Sequence, residues 1–173
     1  IFEDMGADAV KIGMVSQPDT IRTIAAGLRK YAPPLLVVDP VMISKSGYHL
    51  LQPEAEAVLV QELLPLATIV TPNIPEAEAI LHRKIESLPD MEEAARDIQA
   101  LGPKNVLLKG GHRTEDATDV LYDGRKVIRL EAARVPTKNT HGTGCTLSSA
   151  IAANLARGLS VPEAVMAAKR YIT

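Results

Sequence analysis

Short apolar segments alternate with amphipathic segments along most of the chain. The apolar runs cover residues 9–14, 35–39, 68–71 and 105–109, and each is nearly continuous. Runs of this kind are typical of parallel strands that are buried on both faces. The segments between them place apolar residues at helical spacing over residues 19–31, 53–66 and 90–101. The alternation predicts an α/β fold, with a mainly parallel sheet flanked by helices on both faces.

The pattern changes after the fourth apolar run. Residues 119–122 and 126–130 have strand character and flank Asp123-Gly124, a strong signal for a β-hairpin turn. Residues 142–157 then have the pattern of a glycine-rich loop that opens into a helix of small residues, and Gly158 closes that helix. The sheet is therefore expected to end in an antiparallel hairpin.

The two ends of the chain have the pattern of interrupted elements. Residues 1–5 resemble the last turn of a helix. Ser160 and Glu163 predict a capping box for a final helix, which reaches Thr173 without a capping residue. We see no internal repeat and no linker, so we expect one domain over residues 1–173 that is incomplete at both ends.

Composition excludes several classes of protein. The 173 residues are 46% hydrophobic and 23% charged with a net charge of −2, which provides no basic surface for nucleic acid or anionic lipid. No segment approaches the roughly 18 consecutive apolar residues of a membrane span. The single cysteine and the scattered histidines offer neither an intrachain disulfide nor a zinc site. We expect a cytoplasmic protein that binds no nucleic acid and no membrane.

The strongest chemical signal is Gly142-Thr143-Gly144-Cys145 at the predicted start of a helix. Two glycines allow a ligand to approach the backbone closely. The N–H groups of the first helical turn then favour an anion, such as a phosphoryl group in transfer. The spacing is neither the dinucleotide GxGxxG motif nor the Walker GxxxxGK[ST] motif. An ordinary glycine-rich loop before an alanine-rich helix is the alternative.

Polar side chains also follow the predicted strands. Asp39 ends the second strand, Asn73 and Glu76 follow the third, and Lys109 ends the fourth. Because ligands of open α/β sheets bind beyond the carboxyl ends of the strands, these groups are candidates for one site. The oxygens suit hydrated Mg²⁺, and the lysine suits ATP phosphates. The alternatives are an Asx turn, a helix N-cap and a strand-end charge.

Cys145 is a candidate for the catalytic base. Most cysteines that form no disulfide are buried and inert, but the start of a helix stabilises a thiolate. A thiolate there could accept a proton from a substrate hydroxyl as that oxygen attacks the γ-phosphate. Met14 ends the first predicted strand, where a core position is the more common interpretation.

These stretches, in this order, resemble the ribokinase-like superfamily. Within it the sequence is similar to the hydroxymethylpyrimidine/phosphomethylpyrimidine kinases of thiamine biosynthesis. The matching stretches run across the whole chain and are Asp8-Ala9-Val10-Lys11-Ile12-Gly13-Met14, Val38-Asp39-Pro40-Val41-Met42, Lys45-Ser46-Gly47, Leu63-Leu64-Pro65-Leu66-Ala67, Thr71-Pro72-Asn73 with Pro75-Glu76-Ala77, Lys109-Gly110-Gly111-His112, and Asn139-Thr140-His141-Gly142-Thr143-Gly144-Cys145.

The resemblance implies a three-layer α/β/α kinase fold, of which residues 1–173 form the C-terminal, nucleotide-binding part without the N-terminal strands. It implies ATP- and Mg²⁺-dependent phosphorylation of 4-amino-5-hydroxymethyl-2-methylpyrimidine, and then of its monophosphate. It further implies a homodimer, because relatives are commonly dimeric.

The resemblance also implies roles for particular residues. Cys145 is the catalytic thiol, and the amides of Gly142, Thr143, Gly144 and Cys145 form the anion hole. Lys109 contacts the ATP phosphates, as does Thr143 in the same nucleotide site. By the same resemblance, Asp39 and Glu76 organise the metal and the triphosphate, with Asn73 nearby. Met14 and Val41 contact the pyrimidine together with Cys145. Lys45-Ser46-Gly47 corresponds to a loop that is mobile in relatives.

Other functions remain open at this point. A pyridoxal kinase of the same superfamily also phosphorylates a hydroxymethyl heteroaromatic, and some members share Gly-Thr-Gly-Cys. A non-catalytic pyrimidine sensor is expected to lose at least one of Asp39, Glu76, Lys109 and Cys145, and this chain retains all four. A purely structural α/β domain would show no ATP-dependent thermal shift.

Overall fold

The computed structural model describes residues 2–44, 48, 50–111, 118–131 and 142–172. The elements follow one another in the order β1 (Val10–Ile12), α1 (Pro18–Tyr31), β2 (Leu36–Val38), α2 (Pro53–Val58), β3 (Ile69–Val70), α3 (Ile74–Leu81), α4 (Leu88–Ala100), β4 (Val106–Leu108), β5 (Asp119–Tyr122), β6 (Val127–Leu130), α5 (Thr143–Ala156) and α6 (Val161–Ile172).

The strands form one sheet in the order β1-β2-β3-β4-β5-β6. Strands β1 to β4 are parallel, and β5 and β6 are antiparallel to their neighbours. The turn between β5 and β6 contains Gly124 at φ 84°, a conformation that glycine adopts without strain. The Asp123 carboxylate accepts the amides of Arg125 and Lys126 and so closes this turn. The predicted mainly parallel sheet and its terminal hairpin are both confirmed.

Side chains of successive strand residues enter two separate cores. On one face, strand residues pack on α5 and α6, and these are Val37, Ile69, Leu107 and Leu121. On the opposite face, strand residues pack under α1 to α4, and these are Leu36, Val38, Val70, Val106, Leu108 and Val120. Because both faces are covered, the central strands β2, β3 and β4 contain only apolar residues, which explains their continuous apolar character. The three-layer α/β/α architecture is confirmed.

The helices differ from the prediction in two places. The segment 53–66 was expected to be one helix, but α2 ends at Val58 and continues as a π-helical turn (Leu59–Leu63) and a 3₁₀ turn (Leu64–Leu66). Pro65 has no N–H and cannot continue an α-helical ladder. Helix α3 was not among the predicted helices, although Asn73 was recognised as a possible N-cap. Among the described residues, we find no helix with the length and apolar character required to cross a membrane.

Candidate active site

A buried carboxylate lies at the centre of the candidate site. Asp39 is 1% exposed, and its Oδ1 accepts from Lys109 Nζ at 2.9 Å and from Thr71 Oγ1 at 3.0 Å. Its Oδ2 lies 3.2 Å from Ser148 Oγ. A buried charge needs both a counter-ion and hydrogen bonds, and Asp39 has them. The carboxylate therefore fixes the Lys109 ammonium in one place.

The parallel strands explain why these groups meet. Asp39 follows β2, Thr71 follows β3 and Lys109 follows β4, so all three lie at the carboxyl edge of the sheet. The Lys109 amide donates to Pro72 O at 2.8 Å, which extends the pairing of β3 and β4 to this edge. Asn73 forms an isolated parallel bridge with Lys109 at the same level.

The start of α5 lies beside the Lys109 ammonium. Gly142 is the N-cap at φ 80°, a conformation that strongly favours glycine. A Cβ atom at Gly144 would lie 3.4 Å from Lys109 Nζ, so glycine lets the ammonium reach the first helical turn. The first amides of a helix have no intrahelical acceptor, and the helix dipole adds positive potential there. The lysine and this turn together form an environment suited to a phosphate.

The thiol of Cys145 is exposed in the first turn of α5. The Cys145 carbonyl lies 3.0 Å from Ser148 Oγ, the hydroxyl that also lies near Asp39. A hydroxyl has one proton, so Ser148 donates to one of these two acceptors at a time. In either arrangement, Ser148 lies between the Asp39 carboxylate and the turn that carries Cys145.

Sequence reasoning missed Ser148 and Thr71 as members of this cluster. Ser148 is fully buried and lies three residues after Cys145, which places it on the same side of α5. A polar residue at that spacing within an apolar helix was the available signal. Thr71 begins the Thr-Pro-Asn stretch, in which only Asn73 was predicted as a site residue.

Asn73 and Glu76 cap helix α3. Asn73 Oδ1 accepts the Glu76 amide at 2.8 Å, and Glu76 Oε2 accepts the Asn73 amide at 2.8 Å. The two bonds form a capping box, so the helix N-cap that was the alternative to a metal role is present. The two side chains lie at the same sheet edge as Asp39, so a structural role and a role in the site are compatible.

The environment of Glu76 disfavours its charged form. The side chain is 2% exposed, and burial raises its pKa from 4.5 to about 7. The Lys109 ammonium and the amides of Asn73 and Met42 act in the opposite direction, whereas the nearby Asp39 charge raises the pKa further. The carboxyl group therefore titrates close to neutral pH.

The side chains at this edge of the sheet can be compared with the ligands that Mg²⁺ commonly uses. Among the described residues, no three His, Cys, Asp or Glu side chains form a ready-made metal cluster. Mg²⁺ commonly uses one or two carboxylates, several waters and substrate phosphates. Asp39 follows β2 and Glu76 lies in the first turn of α3 after β3, so two carboxylates lie at this edge of the sheet. The residues present fit a Mg²⁺ ion that arrives with a nucleotide.

The other predicted contacts lie at the ends of β1 and β2. Met14 is 54% exposed, so a core position for this residue is wrong. Val41 is partly buried, and its amide donates to Asp39 O at 2.8 Å. The predictions for Lys45-Ser46-Gly47, His112 and Asn139-Thr140-His141 lie outside the described residues.

Comparisons with known proteins agree on one family. The phosphomethylpyrimidine kinase family matches residues 1–173. A hydroxymethylpyrimidine/phosphomethylpyrimidine kinase of Rhizobium meliloti is 51% identical over 99% of this chain. The crystal structure of a phosphomethylpyrimidine kinase from Clostridium difficile is 50% identical, with a TM-score of 0.89 over 99% of this chain and 70% of that one. A Bacillus subtilis pyridoxal kinase in complex with ADP is 40% identical, with a TM-score of 0.89 over 97% of this chain and 63% of that one.

The chain spans 65% of the length of the Rhizobium relative, which is slightly less than two thirds.

Proposed function

Because the chain belongs to the phosphomethylpyrimidine kinase family, we propose that the protein transfers the γ-phosphoryl group of ATP to a pyrimidine alcohol. The acceptor is the hydroxymethyl group of 4-amino-5-hydroxymethyl-2-methylpyrimidine, and then the phosphate of its monophosphate. One structural observation on this chain is the main support for the proposal. The Lys109 ammonium lies against the first turn of α5 while the buried Asp39 carboxylate holds it there.

The first part of the mechanism is stabilisation of charge. Negative charge spreads over the phosphoryl oxygens during transfer, and fixed donors lower the barrier because they need no reorganisation. The amides of the turn 142–145 provide such donors, and Thr143 lies within that turn. Lys109 contributes a full positive charge beside them. Asp39 keeps the ammonium oriented toward the first turn of α5. The hydroxyl groups of Thr71 and Ser148 orient the Asp39 carboxylate.

The second part is removal of a proton. The Cys145 thiolate accepts the proton of the substrate hydroxyl as that oxygen forms a bond to the γ-phosphorus. The bond between the γ-phosphorus and the bridging oxygen breaks at the same time, and ADP leaves with the electron pair. Cys145 suits this role because its thiol is exposed in the turn that carries the amide donors.

Magnesium and the acceptor need binding groups of their own. Asp39 and Glu76 would hold Mg²⁺ at the triphosphate, in part through water, with Asn73 nearby. The ion would supply charge neutralisation between the phosphates. Met14 and Val41 would contact the pyrimidine ring, which is consistent with the exposure of Met14 at the end of β1.

A pyridoxal kinase activity is the second candidate, because a pyridoxal kinase has the same TM-score of 0.89 as the pyrimidine kinase, although its sequence identity is lower, at 40% against 50%. The experiment is a measurement of ADP release by the intact protein with each acceptor. We expect a larger kcat/KM for the pyrimidine alcohol than for pyridoxal. A larger value for pyridoxal would overturn the substrate assignment. ATP binding without turnover of either acceptor would overturn the kinase proposal in favour of a sensor.

Three further expectations belong to the proposal. Residues 1–173 are proposed to form a single domain, the protein is proposed to be a homodimer, and its location is proposed to be the cytoplasm. Light scattering coupled to size exclusion measures the mass of the assembly, and a monomeric mass would contradict the dimer.

A further inference from the structure

A second buried ion pair lies at the same edge of the sheet as the candidate site. Asp119 Oδ2 is 2.6 Å from Lys169 Nζ, and the two side chains are 10% and 14% exposed. Asp119 begins β5, and Leu108 at the end of β4 pairs with Val120. The carboxylate of Asp119 is therefore beside the point where β4 ends.

The Asp119 carboxylate also holds the backbone that follows β4. Its Oδ1 accepts the Gly110 amide at 2.8 Å, while its Oδ2 is occupied by Lys169. Gly110 is in close contact with the next strand segment, because a Cβ atom there would lie only 1.8 Å from Thr118 O. Only glycine fits this position without a backbone shift.

The backbone at Lys109 and Gly110 is held by two hydrogen bonds, one to the segment after β3 and one to the start of β5. Its own amide donates to Pro72 O at 2.8 Å, and the next amide, that of Gly110, donates to Asp119. The Lys109 side chain itself reaches Asp39 and the first turn of α5. Any shift of the Gly110 peptide moves the Lys109 backbone and changes where its ammonium lies.

We propose that the Asp119–Lys169 ion pair is a positioning device for Lys109. Neither residue contacts the phosphates in this proposal. Asp119 acts through the Gly110 amide, and Lys169 orients Asp119 by occupying its second oxygen. The inference rests on the proposed function only in assigning Lys109 to the phosphates of ATP.

Stability alone is a weak explanation for this pair. A well-packed apolar pair often replaces a buried ion pair without loss of stability. An apolar pair could not, however, accept the Gly110 amide. Each donor faces its own carboxylate oxygen, and Asp119→Asn replaces one of these oxygens by an NH₂ group, which donates instead of accepting. The charged ammonium makes the stronger hydrogen bond, so the remaining acceptor oxygen turns toward Lys169 and the Gly110 bond is lost.

The test is a double-mutant cycle on ATP binding in the intact protein. Calorimetry measures the Kd of ATP with Mg²⁺ for Asp119→Asn, Lys109→Met and the combined variant. We expect Asp119→Asn to weaken ATP binding severalfold, up to about tenfold and by less than Lys109→Met does, because a displaced ammonium keeps part of its charge-assisted interaction with the phosphates. In the Lys109→Met background the same change should alter Kd by less than about twofold, because the group being positioned is gone.

A second variant shows whether the loss of affinity in Asp119→Asn results only from poor folding. Asp119→Asn/Lys169→Met removes the ammonium that attracts the asparagine oxygen and leaves that oxygen for the Gly110 amide. We expect this variant to recover most of the ATP affinity lost in Asp119→Asn. Glu92→Gln is the control, because it breaks the 2.6 Å pair with Arg129 between α4 and β6 and should leave Kd unchanged.

The outcomes separate the inference from the proposed function. Equal losses in both backgrounds, or no loss from Asp119→Asn, would overturn the positioning role. Failure of the double variant to recover affinity would also overturn it. Absence of phosphoryl transfer by the wild-type protein would instead overturn the proposed function, while ATP binding would still report on the ion pair.

Discussion

The buried carboxyl group of Glu76 should make the fold less stable as pH rises toward neutrality. Burial raises the pKa of Glu76 from 4.5 to about 7. Between these values the folded chain keeps a proton that the unfolded chain has released. The free energy of unfolding therefore falls as pH rises through this window. The contribution is fully present below about pH 4.5 and is lost as pH passes about 7.

The magnitude follows from the shift in pKa. One unit of pKa corresponds to about 1.4 kcal/mol, so the shift of Glu76 corresponds to about 3 kcal/mol. Glu76→Gln keeps an oxygen that can accept the Asn73 amide and removes the charge. We expect the variant to gain about 2 to 3 kcal/mol over the wild type between pH 5 and pH 8.

The assay is urea unfolding followed by circular dichroism at pH 5, 6, 7 and 8. The difference between variant and wild type reports on Glu76 and the charges coupled to it, because groups that do not interact with Glu76 titrate alike in both proteins. Glu93→Gln is a suitable control, since the Glu93 side chain is 66% exposed and should give a small difference at every pH. A difference for Glu76→Gln that stays constant from pH 5 to 8 would refute the reasoning.

Two further substitutions test the candidate site. Cys145→Ala should lower kcat by at least about a hundredfold, the size of a general-base contribution, and change the Kd of ATP less than about twofold, because the amide donors remain. Near-normal turnover of Cys145→Ala in a steady-state assay would mean that another group takes the proton. Ser148→Ala should reduce the free energy of unfolding by about 1 to 3 kcal/mol, because it removes a buried hydroxyl donor that Asp39 Oδ2 and the Cys145 carbonyl share. Unchanged urea unfolding of Ser148→Ala would contradict that role.

Local patterns predicted the sheet and its edge well. The apolar runs gave the strands because burial on both faces leaves a continuous signal. The strands are shorter than the predicted runs, although the Asp39 amide still donates to Ile12 O just beyond the end of β2. Helix α3 was missed because Asn73 and Glu76 were weighed mainly as ligands, although the same two residues form its capping box.

The rest of the site depends on contacts that no local pattern contains. Ser148 and Asp39 are 109 residues apart and meet only because α5 packs against the sheet. Asp119 and Lys169 are 50 residues apart, and their meeting depends on how α6 packs against β5. The raised pKa of Glu76 could not be predicted from the sequence, because it results from burial of the side chain in the folded protein.

The central claim is that the Lys109 ammonium and the first turn of α5 bind the phosphates of ATP. The most direct measurement is calorimetric binding of ATP and of AMP to the intact wild-type protein and to Lys109→Met, which keeps an unbranched side chain one atom shorter and removes the charge. We predict that Lys109→Met weakens ATP by at least about tenfold, the effect of losing one charge-assisted contact, and changes AMP affinity little. Equal ATP affinities for wild type and Lys109→Met would contradict the account.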